Sequence, residues 1–215
     1  AKILHDDQIY RIDHYLGKNA IQDIMVWRFA NSMFEPMWNN AHIESIQITM
    51  AESFDVSDRG SFYDKVGALK DVVQNHIMQI IGLLSMDPPS TPDPAAIHAQ
   101  QLHAFESMRP IEPENYVRGQ YDGYLDVEGV EKDSQTETFV ALKIFIDSWR
   151  WSGVPFFVRA GKSLGCTATE AVVVYKRLPL QLFNEDNCEE PERNRLRFRL
   201  GHDDGVQMFA IKKVV

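Results

Sequence analysis

Between Arg11 and Lys18 the chain brings together a carboxylate (Asp13), an imidazole (His14), a phenol (Tyr15) and an ammonium (Lys18), with Gly17 beside the last. Donors and cations at this density suit a phosphate ester, because charge-assisted hydrogen bonds to phosphate oxygens are strong ones. The acid can also orient a base. A solvated helix end would carry the same residue types, and composition alone leaves both readings open. A second candidate, His76, stands in Gln74-Asn75-His76 and adjoins Val73 and Ile77. On an apolar stripe a lone histidine is more often a satisfied core residue than a base. Lys70 and Asp71, one turn earlier, read as the wet side of the same helix.

Two nucleotide motifs can be tested against the spacing. Gly161-Lys162-Ser163 mimics the end of a P-loop, but that motif needs a glycine five residues before Gly161, where Phe156 stands. No Gly-x-Gly-x-x-Gly occurs, so the residues offer no dinucleotide fingerprint. His98 and His103 suit no common metal motif and read as a wet helix face.

These groups must be positioned by elements that the pattern predicts. Ile21, Ile24, Met25, Trp27 and Phe29 give a partly helical apolar face that ends near Pro36. A strand is predicted over 43–50, and Asp58-Arg59-Gly60 reads as a turn. Ser61 with Asp64 resembles a capping box. Phe62, Val66, Leu69, Val73, Ile77, Ile80 and Leu84 then step by four or three, one apolar stripe that predicts a single long helix. The Pro-rich run 87–94 breaks it before a shorter helix over 95–108. After Pro110, segments 116–125, 138–149, 155–159, 170–175, 195–200 and 206–213 are rich in β-branched and aromatic residues. Several alternate, as in Val140, Leu142, Ile144 and Ile146, which predicts largely antiparallel strands with one wet face. The expectation is one α+β domain over 1–215, helical over 1–108 and strand-rich over 110–215. A large, mainly antiparallel sheet is covered on one face by helices.

Composition narrows the function classes. The 215 residues carry a net charge of -9, which gives no sign of the basic face that nucleic-acid binding needs. The most apolar stretch, 77–86, falls short of the roughly 18 residues that a membrane span needs. Two cysteines without a CxxC pattern fit a reducing cytoplasm. The first residue is not Met and the last residues read as part of a strand, so both ends read as cut.

Taken in order, RIDHYLGK at 11–18, FANSMFEPMWN at 29–39, AESF at 51–54, DVVQNH at 71–76, RGQYDGYL at 118–125 and WSGVPFFVRAGKSL at 151–164 resemble the glucose-6-phosphate dehydrogenases. The resemblance implies oxidation of glucose 6-phosphate at carbon 1 with NADP, in the pentose phosphate route, by a cytoplasmic enzyme that pairs as a homodimer through its sheet. It further implies that His76 is the general base and Asp13 its partner. His14, Tyr15 and Lys18 hold the phosphate, and Lys18 and Lys162 reach sugar hydroxyls. Glu52 and Asp71 bind ring hydroxyls. NADP is expected on an N-terminal dinucleotide-binding domain whose Gly-rich loop these residues do not contain. A non-catalytic sugar-phosphate-binding module is the alternative; retention of Asp13, His76 and Lys18 argues against it.

Overall fold

The computed structural model describes residues 17–180, 193–201 and 203–211. Seven strands form one sheet in the order β2-β3-β4-β1-β5-β6-β7. They are β1 (Ile43–Ala51), β2 (Tyr116–Gly119), β3 (Phe139–Ile144), β4 (Phe156–Gly161), β5 (Ala168–Tyr175), β6 (Arg195–Arg199) and β7 (Gly205–Phe209). Every neighbouring pair is antiparallel except β1 with β4, which run parallel with Ala51 opposite Gly161. Alternation along the strands buries Val140, Leu142, Val158, Ala171 and Phe198, and leaves Gln47, Lys143, Phe157 and Arg197 on the other face. That is the period-2 pattern the sequence carries.

Helices α1 (Asn19–Ala30), α3 (Met78–Ser85) and α4 (Pro94–Glu106) complete the core, which joins Ile21, Ile24, Ile80 and Leu84 to Ile46, Ile48 and Phe156. The end of α3 is buried, so its last carbonyls need partners other than water. Three side chains supply them. Arg28 Nη1 donates to Leu83 O at 2.8 Å, Trp38 Nε1 to Leu84 O at 2.8 Å, and Trp151 Nε1 to Ser85 O at 2.7 Å. Arg28 is fully buried; burial pushes its guanidinium down to about 10, opposed by the Glu35 carboxylate 3.2 Å away.

The single long helix expected over the stripe from Phe62 to Leu84 is not what forms. A short helix α2 (Gly60–Tyr63) is followed by a turn in which Gly67 takes φ +67°, and the chain then enters a π-helix, Leu69–Ile77, that runs directly into α3. Phe62 is consequently exposed. Ser61 and Asp64 do not form a capping box either. No side chain caps α2, and Asp64 accepts hydrogen bonds from Tyr124 Oη (2.8 Å), from Ser134 Oγ and from the Glu131 N–H (3.2 Å), which ties down the loop over 120–136.

Candidate active site

Glu52 and Lys162 are 110 residues apart in sequence, yet each is the first residue after one of the two parallel strands. Because β1 and β4 are neighbours and end at the same level, their exits lie side by side. The backbone continues the pairing briefly: Glu52 N–H donates to Gly161 O, Leu164 N–H to Glu52 O and Ser163 N–H to Phe54 O, each at 3.0 Å. The Lys162 ammonium meets the Glu52 carboxylate in a direct ion pair and lies 3.8 Å from Asp71 Oδ2. The side chain of Lys162 is only 3% exposed, while those of Glu52 and Asp71 are 29% and 22% exposed.

Two aromatic rings finish the enclosure. Phe54 and Tyr63 lie 5.1 and 5.5 Å from Lys162 Nζ, within cation–π range. Burial, followed by the charges of Asp71, Glu137 and Glu52 among its neighbours, pushes the Tyr63 phenol far up, so it stays protonated. Neither ring is marked by spacing in the sequence. Tyr63 belongs to the segment where the helical stripe breaks, so no local pattern could have assigned it.

Asp71 and His76 are both carried by the π-helix, and both are half-buried. Residues five apart lie about 140° round from each other on an α-helix. With i→i+5 hydrogen bonding the sixth residue returns close to the side of the first, and such segments recur at functional sites. The π-helix therefore turns Asp71 and His76 toward a common side, where an α-helix would split them. Asp71 is consequently not on the wet face: it belongs to the cluster around Lys162.

Lys18 is exposed on another element. It occupies the N-cap position of α1, where its carbonyl accepts from the N–H groups of Ile21 (3.0 Å) and Gln22 (3.2 Å). Asp13, His14 and Tyr15 lie outside the described residues. The structure thus brings together Glu52, Asp71 and Lys162, with His76 on the same helix as Asp71. Gly161 is explained by packing and not by a phosphate loop, since a β-carbon there would come 2.9 Å from Thr138 O. Among the described residues no group of three His, Cys, Asp or Glu side chains could hold a metal ion, and no described helix is long and apolar enough to cross a membrane.

The chemistry of such a cluster is that of acceptor oxygens held in place around a sealed cation, the kind of surface that binds hydroxyl groups. Comparison with known proteins places the chain in a family. Residues 25–215 match the family described as "Glucose-6-phosphate dehydrogenase, C-terminal domain", and residues 1–23 match "Glucose-6-phosphate dehydrogenase, NAD binding domain". A glucose-6-phosphate 1-dehydrogenase of Mycobacterium bovis is 45% identical over 206 residues, which is 96% of this chain and 44% of that protein. That of Bacillus subtilis is 46% identical over 224 residues, 97% of this chain and 45% of that protein. The chain therefore spans less than half the length of these relatives. Among solved structures, the Mycobacterium avium glucose-6-phosphate 1-dehydrogenase superposes with a TM-score of 0.92 at 43% identity, over 99% of this chain and 48% of that one. A glucose-6-phosphate dehydrogenase in complex with its substrate glucose-6-phosphate gives a TM-score of 0.88 at 33% identity, over 96% of this chain and 43% of that one.

Proposed function

Because this chain belongs to the glucose-6-phosphate dehydrogenase family, matching its C-terminal domain over residues 25–215, we propose that it supplies the sugar-phosphate site and the catalytic base for oxidation of D-glucose 6-phosphate at carbon 1, giving 6-phosphogluconolactone with NADP as acceptor. The observation that carries the reading is the cluster itself. Glu52, Asp71 and Lys162 converge beside the helix that bears His76, and the two carboxylates keep part of their surface open while the ammonium is sealed. Open acceptor oxygens fit the hydroxyls of a sugar ring.

In this reading His76 takes the proton of the 1-hydroxyl as carbon 1 is oxidised, and Asp13 pairs with His76 to fix its tautomer and stabilise the imidazolium. Glu52 and Asp71 accept from ring hydroxyls; the Lys162 ammonium, expected to reach a sugar hydroxyl itself, is sealed behind them and compensates both carboxylates. His14, Tyr15 and Lys18 hold the phosphate. Lys18 adjoins the N-terminus of α1, whose positive dipole end favours an anion. The sequence has no Gly-rich dinucleotide loop, so NADP would be held mainly outside these residues. The steps assigned to this chain are therefore sugar binding and proton transfer only. We further propose a cytoplasmic enzyme that pairs as a homodimer through the open sheet face, where Val117, Phe157 and Phe209 are exposed.

The test is the rate of glucose-6-phosphate-dependent NADP reduction by an intact dehydrogenase carrying this chain. His76→Asn should lower kcat by about 10²–10⁴-fold with little change in KM, because general-base help is realised only as the proton leaves. Asp13→Asn should do the same more mildly, and Lys18→Ala should raise KM. Near-normal kcat in His76→Asn would mean that another group is the base.

A further inference from the structure

The segment from Glu137 to Phe139 passes between the two halves of the cluster and is bonded to both. On one side Lys162 donates its backbone N–H to Thr138 O at 3.0 Å. On the other, the Ala68 N–H donates to Glu137 O at 3.0 Å, and the N–H of Leu69, first residue of the π-helix, donates to Glu137 Oε1 at 3.0 Å. Two glycines make room for this passage. Gly67 holds the left-handed conformation, and a β-carbon on it would come 2.5 Å from Glu137 Oε1. At Gly161 a β-carbon would be 2.9 Å from Thr138 O.

The first N–H groups of any helix lack an acceptor within it, and i→i+5 bonding extends that gap by one residue. A carboxylate is favoured there by both hydrogen bonding and the helix dipole. Here the acceptor comes from 68 residues further along the chain, from a segment that also grips Lys162. We propose that Glu137 is a positioning residue, setting where the π-helix, and with it Asp71, stands against Lys162. This rests on the sugar-phosphate reading above.

The geometry states which half of the cluster depends on Glu137. Glu52 follows β1 and meets Lys162 through the parallel strands, independently of the π-helix. Asp71 lies two residues beyond the capped N–H, and its 3.8 Å approach to Lys162 is already at the outer limit of an ion pair, so a small displacement removes it. His76 lies five residues further on, next to the junction with α3, whose buried residues anchor that end. Loss of the cap should therefore weaken sugar binding before it disturbs the base.

The experiment compares Glu137→Ala, Glu137→Asp and Glu137→Gln in the intact dehydrogenase, measuring kcat, KM for glucose 6-phosphate and the thermal midpoint. Ala removes the acceptor and Asp withdraws it by one methylene, and each should raise KM about tenfold while kcat stays within about threefold. Gln keeps Oε1 as an acceptor for the Leu69 N–H and should stay within about twofold of the parent KM. If Glu137→Ala does not fold, the contrast between Asp and Gln decides. A lowered thermal midpoint with parental KM in Ala and Asp would overturn the proposal, as would a Gln variant as impaired as Asp. An intact enzyme that does not oxidise glucose 6-phosphate at all would overturn this and the functional reading together. An active enzyme abolished by His76→Asn but indifferent to Glu137 would overturn this inference alone.

Discussion

Lys162→Met removes a buried cation while nearly preserving side-chain volume, and so isolates what the charge contributes. The ammonium is almost wholly enclosed, paired with Glu52 and 3.8 Å from Asp71. At an effective dielectric of about 20, one unit pair at that distance attracts by about 4 kcal/mol. The cost of taking the ammonium out of water offsets much of this. Breaking a fully buried pair costs about 3–5 kcal/mol, because the abandoned charge stays desolvated. Here Glu52 and Asp71 remain 29% and 22% exposed, so water screens part of what remains. The expected loss is therefore about 1–3 kcal/mol. Urea unfolding of the 215-residue chain, followed by the fluorescence of the buried Trp38 and Trp151, reads it as a lowered midpoint at unchanged slope. Lys162→Met combined with Glu52→Gln should recover part of the loss, since one of the two uncompensated carboxylates is then gone. A single variant as stable as the parent, or a double variant whose losses simply add, would refute this account of the cluster.

A polypeptide of these 215 residues should bind glucose 6-phosphate more tightly than glucose by calorimetry, yet give no steady NADP reduction, because the sequence has no dinucleotide loop to hold the cofactor against carbon 1; equal affinities would exclude His14, Tyr15 and Lys18 as the phosphate clamp. At Asp64, partial burial pushes the carboxyl up, but the hydrogen bonds from Ser134, Tyr124 and the Glu131 N–H outweigh it and hold the group below its usual 3.8. A depressed carboxyl stabilises the fold at pH above its unfolded value and loses that contribution as pH falls through the folded one. The thermal-midpoint gap between the parent and Asp64→Asn should accordingly be full at neutral pH and close below about pH 4; a gap unchanged at about pH 2 would contradict the assignment.

Much of the scaffold is legible in the sequence because strand burial is a local property. Val140, Leu142 and Ile144 alternate with half-buried neighbours in β3 as their spacing predicts, and the Pro-rich run 87–94 does separate two helices. The quoted motifs likewise mark the family, since residue types in order need no coordinates to be compared. The single long helix fails for an equally physical reason. Steps of four and three continue through Gly67 in the sequence, so periodicity is blind to a left-handed turn there, packed against Glu137 70 residues away.

The site itself was decided by tertiary structure. Nothing near Lys162 in sequence announces Glu52; the two meet because β1 and β4, far apart along the chain, run parallel and end together. Spacing alone assigns Asp71 to the wet side of an α-helix, and only the fold sets it 3.8 Å from Lys162, on the π-helix that also carries His76. Local patterns record what a residue's near neighbours require. An ion pair closed by strand pairing, and a helix whose first N–H is bonded from the segment leading into a distant strand, depend on contacts that exist only once the sheet has formed.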